Sequence, residues 1–214
     1  GGLFLEFARQ IAAAGYRLPA IIPYYTPGDV PYAYPPLAFY LEAALIHGLG
    51  LPEWPVANVL PALLAIAALP LFYRLARAVF ADATTPIVAV GVYALLPAAF
   101  VQQIQDEGPA EAAGTLALLL LVPAMLAAER RGGPVRYALV GLAGALCVLA
   151  APGSAMAAAL LLALWGVALL VRAALEQRFA RQLAHLALAA AVLLAASAPY
   201  WLAVVRVHGA GLFI

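Results

Sequence analysis

Long apolar runs, separated by short breaks rich in arginine, proline or glycine, dominate the chain after residue 54. A membrane-spanning helix needs about 20 mostly apolar residues, within a range of about 17–25. Six runs meet or approach this length, at 55–73, 86–101, 108–128, 137–151, 153–171 and 183–205. They are continuous and rich in Ala and Leu instead of alternating in period two, which favours helices over barrel strands. The pattern therefore predicts an all-α polytopic transmembrane bundle of about six spans.

The first 54 residues follow a different pattern. Residues 3–14 predict a short amphipathic helix at the membrane interface, because their apolar side chains recur on one helical stripe, at Leu3, Phe7, Ile11 and Ala14. A loop rich in Pro and Tyr follows at 23–36. The apolar stretch 37–49 is too short to cross a bilayer. We therefore expect it to form a second external helix that lies along the membrane surface.

The arginines predict the orientation of the bundle. Eight of the 11 fall in the breaks around 74–85, 129–136 and 172–182, and the positive-inside rule makes that side cytoplasmic. The expected organisation is an external region at 1–54, a six-span bundle at 55–205 and the start of another external segment at 206–214. This describes a multi-pass protein of the plasma membrane whose active face is external.

Composition excludes several classes of protein. Of the 214 residues, 67% are apolar and 10% are charged, whereas soluble domains have about 45–50% and about 25%. A soluble enzyme and a nucleic-acid-binding protein are therefore excluded, and the lipid bilayer is the first expected partner. Cys147 is the single cysteine and lies in an apolar run, so neither a disulfide nor a cysteine-based metal site is predicted. No zinc-protease, ATP-binding or serine-hydrolase motif occurs, and no metal or cofactor is expected.

The external breaks contain the candidate chemistry. Asp106 and Glu107 share the loop at 102–107 between two spans, and Asp29 lies in the loop rich in Pro and Tyr. Clustered ionisable groups at a membrane boundary are candidates for function. A solvated loop next to a helix N-terminus, where acids are favourable, explains the Asp106–Glu107 pair equally well.

Two further groups of residues adjoin the membrane. Arg206 and His208 follow the last apolar run and predict a phosphate clamp, since Arg binds phosphate through paired hydrogen bonds. The alternative is that Arg206 only reaches the lipid headgroups. The step Tyr34-Pro35-Pro36 leads into the 37–49 helix. The simpler interpretation of this step is structural: the prolines form a rigid elbow, and the tyrosines lie at the membrane interface.

Two stretches carry a family resemblance. Residues 3–15, followed by Pro31-Tyr-Ala-Tyr-Pro-Pro-Leu-Ala-Phe-Tyr40, resemble the first external loop of polytopic GT-C class glycosyltransferases, particularly the protein-mannosyltransferase and aminoarabinose-transferase-like families. Residues 201–209 are similar to a recurrent stretch in bacterial members, and Asp106 sits where these families often place a second acid. Their principal catalytic acid and first transmembrane helix precede the matching segment, so we expect both upstream of Gly1.

The resemblance implies transfer of a sugar from a polyprenyl-phosphate donor to a lipid, glycan or protein acceptor at the outer membrane face. A carboxylate would deprotonate the acceptor hydroxyl, and cations would stabilise the departing phosphate. The implied site comprises a catalytic acid from Asp106, Glu107 or Asp29, a donor-phosphate site at Arg206 and His208, and a loop-positioning step at Tyr34, Pro35 and Pro36.

Other functions remain open at this stage: a transporter, a scaffolding membrane subunit, or an inactive member of the same family. A transporter typically has ionisable residues at mid-span or paired broken helices. The predicted spans contain almost no charge and show no internal repeat, which favours chemistry at one face. An Asp or Asp-Glu just upstream of Gly1 would distinguish an active family member from an inactive one.

The predicted topology can be tested by cysteine labelling in a Cys147→Ser background. We expect a membrane-impermeant thiol reagent to label a cysteine at position 104 in intact cells and to leave one at position 132 unlabelled. The reason is that the arginine-containing breaks are retained in the cytoplasm. Labelling at 132 but not at 104 would reverse the orientation.

Overall fold

A computed structural model describes residues 2–23, 30–101 and 108–209, and this part of the chain is almost wholly helical. In chain order its main elements are α1 (Gly2–Ala13), β1 (Ile21–Ile22), β2 (Val30–Pro31), α2 (Leu37–Ala43), α3 (Glu53–Val79), α4 (Thr84–Leu95), α5 (Gly108–Arg131), α6 (Pro134–Ala150), α7 (Pro152–Leu175) and α8 (Phe179–His208). A π-helical turn, Ala44–Gly48, extends α2. The strands β1 and β2 form a small antiparallel clip, with Ile22 opposite Val30. The predicted all-α class is confirmed.

Four of the described helices, α3, α5, α7 and α8, are long and apolar enough to cross a membrane. They have 24 to 30 residues, which corresponds to about 36–45 Å of helix against a hydrocarbon core of about 30 Å. The protein is therefore an integral membrane protein. The helices α4 and α6 have only 12 and 17 residues, so the six-span arrangement stays a prediction.

Proline explains why the apolar run 86–101 forms a shorter helix than its hydropathy suggests. Leu96 is extended, with ψ 106°, and Pro97 begins a single 3-10 turn. Proline lacks an N–H and disfavours helical geometry in the residue before it, so α4 ends at Leu95. The same effect separates α6 from α7, where Ala151 is extended before Pro152.

Small residues allow α6 to pack closely against α8. A Cβ on Gly141 would overlap the backbone carbonyl of Ala189, and a Cβ on Gly144 would lie 2.7 Å from Cδ1 of Leu193. Lipid tails are as apolar as the side chains, so helix association in a bilayer depends on this kind of close contact. These two glycines therefore determine how closely α6 and α8 pack.

The first two helices pack together at one end of the bundle, here called the α1–α2 end. Phe39 of α2 stacks on Phe4 at 5.6 Å between ring centroids and meets Phe7 edge-on at 5.0 Å. The same buried core contains Ala110 of α5 and Ala150 of α6. Protein side chains thus cover the apolar face of α1, and its position at the membrane interface stays a prediction.

The opposite end contains the arginine-containing breaks and is here called the arginine-rich end. Arg130 donates to the carbonyl of Ala78 at 2.7 Å, which joins the end of α5 to the end of α3. Arg172 of α7 pairs with Glu129 of α5 at 3.4 Å. Asp82 accepts hydrogen bonds from the backbone N–H groups at the start of α4, which holds the pKa of its carboxyl below the usual range. These contacts place the arginine-containing breaks at a common end.

Paired glycine substitutions test the α6–α8 contact. We expect Gly141→Ala to lower the free energy of unfolding by about 1–3 kcal/mol, because the new methyl group overpacks the interface. We expect Gly91→Ala in α4 to raise it by about 0.5–1 kcal/mol, since nothing lies within 4 Å of the added Cβ and Ala is the better helix former. Unfolding in detergent micelles measures both effects, and equal changes in the two variants would contradict the packing.

Candidate functional site at the α1–α2 end

Two hydrogen bonds hold the segment between α1 and α2 against the last turns of α8. The hydroxyl of Tyr200 donates to the carbonyl of Ala33 at 2.5 Å. Nε2 of His208 lies 2.8 Å from the carbonyl oxygen of Ala20. A carbonyl oxygen only accepts, so Nε2 is the protonated nitrogen of this imidazole. Ala20 and Ala33 are thereby held against α8.

A cavity of about 470 Å³ lies between this segment and the bundle. Polar groups come from one guanidinium and two tyrosines, and the rest of the lining is apolar. Its lining residues are Arg17, Leu18, Pro36, Leu37, Tyr40, Leu149, Ala196, Pro199, Tyr200 and Ala203. The cavity therefore has an apolar wall from the long helices and polar groups at the loop side.

A left-handed turn brings Arg17 to this cavity. Gly15 and Tyr16 have φ of 63° and 61°, so the chain reverses directly after α1. Glycine adopts this conformation freely, whereas for Tyr16 it costs about 1–2 kcal/mol. The Tyr16 hydroxyl donates to the carbonyl of Ala43 at 3.3 Å, which helps to hold the turn against α2. Arg17 is exposed and has no carboxylate partner among the described residues.

Two buried polar groups lie under the cavity region. Glu42 and Tyr32 are each 1% exposed, and in the described part of the chain the Oε2 atom of Glu42 and the Tyr32 hydroxyl have no hydrogen-bond partner. Burial raises the pKa of Glu42 to about 7. Burial is also the main cause that raises the pKa of Tyr32, and the nearby groups of Tyr40, Tyr200 and Glu42 raise it further. These groups therefore form one electrostatic cluster next to the cavity.

Sequence reasoning did not identify Glu42 as a site residue, although a usable signal exists. Ala38 and Ile46, which are four positions before and after it, are both buried. Helical spacing alone therefore places Glu42 on the buried stripe of α2. A buried acid on an apolar helix face is unusual and is therefore a candidate for function.

The sequence-predicted residues differ in their placement. Asp106, Glu107 and Asp29 lie outside the described residues. Arg206 is exposed on the last turn of α8 and does not line the cavity, whereas Arg17 does. Nε2 of His208 is bonded to Ala20, so it is not available to a phosphate in this arrangement.

The predicted proline step does border the cavity. Pro35 and Pro36 are buried, Pro36 precedes the first residue of α2, and Pro36 also lines the cavity. Tyr34 packs among the aromatic rings of the α1–α2 core, with its centroid 5.7 Å from that of Phe39. The step therefore leads directly into α2 beside the cavity.

An ion pair joins this end of the molecule to the first long helix. Nε of Arg9 donates to Oε1 of Glu53 at 3.0 Å, and its Nη2 donates to Oε2. Arg9 also contacts Glu6 at 3.4 Å. The pair is exposed, so it orients α1 more than it stabilises the fold. Across the described residues, no group of three or more His, Cys, Asp or Glu side chains could hold a metal ion.

The raised pKa of Glu42 makes stability depend on pH. The folded protein keeps this proton to about pH 7, whereas the unfolded chain releases it near the ordinary value of 4.5. The unfolded state therefore binds fewer protons between these values, and stability falls as the pH rises. We expect a loss of roughly 3 kcal/mol from pH 4.5 to above pH 7, and Glu42→Gln should abolish it.

Unfolding midpoints measured in detergent at several pH values between 4.5 and 8 test this expectation. Glu129→Gln, which replaces a more exposed carboxylate at the arginine-rich end, is the matched control and should keep the wild-type slope. A Glu42→Gln protein with the same pH slope as the wild type would show that Glu42 is not the responsible group.

The chain matches no protein-family model, no curated protein sequence and no solved structure. The resemblance to GT-C glycosyltransferases therefore rests on the sequence motifs alone.

Proposed function

We propose that the chain belongs to a membrane glycosyltransferase that moves a sugar from a polyprenyl-phosphate donor to a lipid, glycan or protein acceptor. The observation that carries the proposal is the cavity at the α1–α2 end, which combines an apolar wall with Arg17 and two tyrosines. A lipid-linked anionic donor needs this combination, because its isoprenoid tail stays in the bilayer while its phosphate lies at headgroup level.

Arg17 is the proposed phosphate ligand. Its guanidinium is exposed and has no carboxylate partner among the described residues, and Arg binds phosphate through paired, charge-assisted hydrogen bonds. Tyr40 also lines the cavity, and its phenolic hydroxyl can donate a hydrogen bond to a phosphate oxygen. The sugar-phosphate bond would break beside these groups, where they stabilise the negative charge on the departing phosphate.

The proposed catalytic acid is Asp106, with Glu107 and Asp29 as the alternatives. Asp106 and Glu107 directly precede α5, which begins at Gly108, and Ala110 and Ala113 of α5 are part of the α1–α2 core. The start of α5 packs in the same core as α2, and α2 lines the cavity through Leu37 and Tyr40. The role of the acid would be to deprotonate the acceptor hydroxyl as a general base.

The proposed topology is that of a GT-C enzyme in the plasma membrane. The helices α4 and α6 would complete six crossings together with the four long helices. The arginine-rich end would face the cytoplasm, because positively charged loops are retained there. The α1–α2 end would then be external, where a polyprenyl-phosphate donor is used without a nucleotide.

Kinetics of the full-length protein separate binding from chemistry. We expect Arg17→Gln to weaken donor binding about tenfold or more, because it removes charged hydrogen bonds made before and during the reaction. We expect Asp106→Asn to lower kcat by about 10²–10⁴-fold with little change in donor binding. Binding of polyprenyl phosphate and transfer of labelled sugar, measured separately, give the two values.

Arg206→Ala is the control, since Arg206 is an arginine near the same end that does not line the cavity. Weaker donor binding in Arg206→Ala but not in Arg17→Gln would show that the phosphate binds at Arg206, as predicted from the sequence, and not at Arg17. Unchanged turnover in a well-folded Asp106→Asn protein would remove Asp106 from the chemistry.

A further inference from the structure

A second possible ligand site lies at the arginine-rich end, away from the cavity described above. A polar cavity of about 320 Å³ opens among the ends of α5, α6, α7 and α8. An apolar groove of about 500 Å³ lies between α6, α7 and α8. The two have opposite character, and the same three helices line both.

The polar cavity has more cationic than anionic side chains. Arg172 forms salt bridges with Glu129 at 3.4 Å and with Glu176 at 3.1 Å. Arg178 lies 3.9 Å from Glu176. Arg181 also lines the cavity and has no carboxylate partner within the described ranges. Three arginines thus face two glutamates, and Arg181 is the cation left to bind an added anion.

The start of α8 also favours an anion in this cavity. Arg178 is its N-cap residue and supplies no side-chain cap, so the first N–H groups of the helix have no side-chain acceptor from that residue. Free N–H groups and the helix dipole favour an anion at this position. His185 and Gln182 complete the polar lining on α8, where the amide of Gln182 donates to the Tyr137 hydroxyl at 2.7 Å.

The cavity and the groove meet at a stack of aromatic rings. Tyr137 lies between His185, at 4.7 Å, and Trp165, at 5.8 Å between centroids. Tyr137 and His185 line the polar cavity, whereas Trp165 lines the groove. On α8 the groove begins at Leu186, the residue next to His185, so polar and apolar linings are continuous along the helix.

A glycine of α7 leaves part of the groove unfilled. Gly166 of α7 lines it, and a Cβ added there would meet Leu186 only at 3.9 Å. Gly141 of α6 lines it as well. The missing side chain at Gly166 leaves apolar space in the groove that adjoins the cationic cavity, whereas Gly141 borders the groove where α6 and α8 are in close contact.

We propose that this continuous site binds an anionic phospholipid, with the headgroup phosphate at Arg181 and one acyl chain in the groove. Basic pockets between transmembrane helices typically bind anionic headgroups. A zwitterionic lipid fits less well, because its own ammonium group lies next to the phosphate and is repelled by the arginines. The site therefore selects lipids by net headgroup charge.

The experiment uses Trp165 as a reporter within the groove. The full chain with Trp54→Phe and Trp201→Phe retains this single tryptophan and is reconstituted in bilayers that contain lipids with brominated acyl chains. We expect brominated phosphatidylglycerol to quench Trp165 at about fivefold lower mole fraction than brominated phosphatidylcholine. Arg181→Gln should abolish this fivefold preference for phosphatidylglycerol, because a fivefold preference corresponds to about 1 kcal/mol, the contribution of one arginine near the surface.

Matched variants separate the site from general effects. Arg74→Gln changes an exposed arginine of α3 that does not line the cavity, and it should leave the preference unchanged. Gly166→Leu should fill the groove and reduce quenching by phosphatidylglycerol, whereas Gly91→Leu, in open space on α4, should not. Unfolding midpoints confirm that each variant is folded.

Three results would overturn the proposal. Equal quenching by the two brominated lipids would show that the site does not select lipids by headgroup charge. Equal effects of Arg74→Gln and Arg181→Gln would show that only the total charge matters. Relief of quenching by millimolar inorganic phosphate would identify a site for free anions, not for a lipid.

Discussion

The close contact between α6 and α8 at Gly141 is the constraint on which the rest of the structure depends. A side chain at this position would overlap the backbone carbonyl of Ala189, so the two helices pack almost backbone to backbone. Both ends of this helix pair line cavities, with Leu149 and Tyr200 at the α1–α2 end and Tyr137 and His185 at the other. A change in the spacing of α6 and α8 would alter both sites.

The α1–α2 end shows how an apolar bundle can present polar groups at its surface. Phe7 and Phe39 pack over the ends of α5 and α6 and form a small core outside the long helices. This core buries Glu42, whose carboxyl would be costly to ionise there. The same packing leaves Arg17 exposed beside the cavity. One arrangement therefore creates a buried acid with a raised pKa and an exposed cation within the same region.

The two ends of the bundle use charge differently. At the arginine-rich end, Arg172 and its glutamate partners connect α5 and α7 at the surface, where each exposed pair contributes little to stability. At the α1–α2 end, hydrogen bonds from Tyr200 and His208 to loop carbonyls hold the chain across the bundle. Charged pairs at the first end therefore join neighbouring helices at the surface, and polar contacts at the second end hold the segment that borders the cavity.

The sequence by itself determined the membrane class, the helical fold and the common position of the arginine-containing breaks, because hydropathy and charge act locally along each segment. It also determined the helices near residues 3–14 and 37–49, since their periodicity is local. Only the tertiary structure decided that α1 is covered by α2, that Arg17 and not Arg206 lines the cavity, and that Glu42 is buried. These facts depend on contacts between residues distant in sequence, which hydropathy and spacing do not specify.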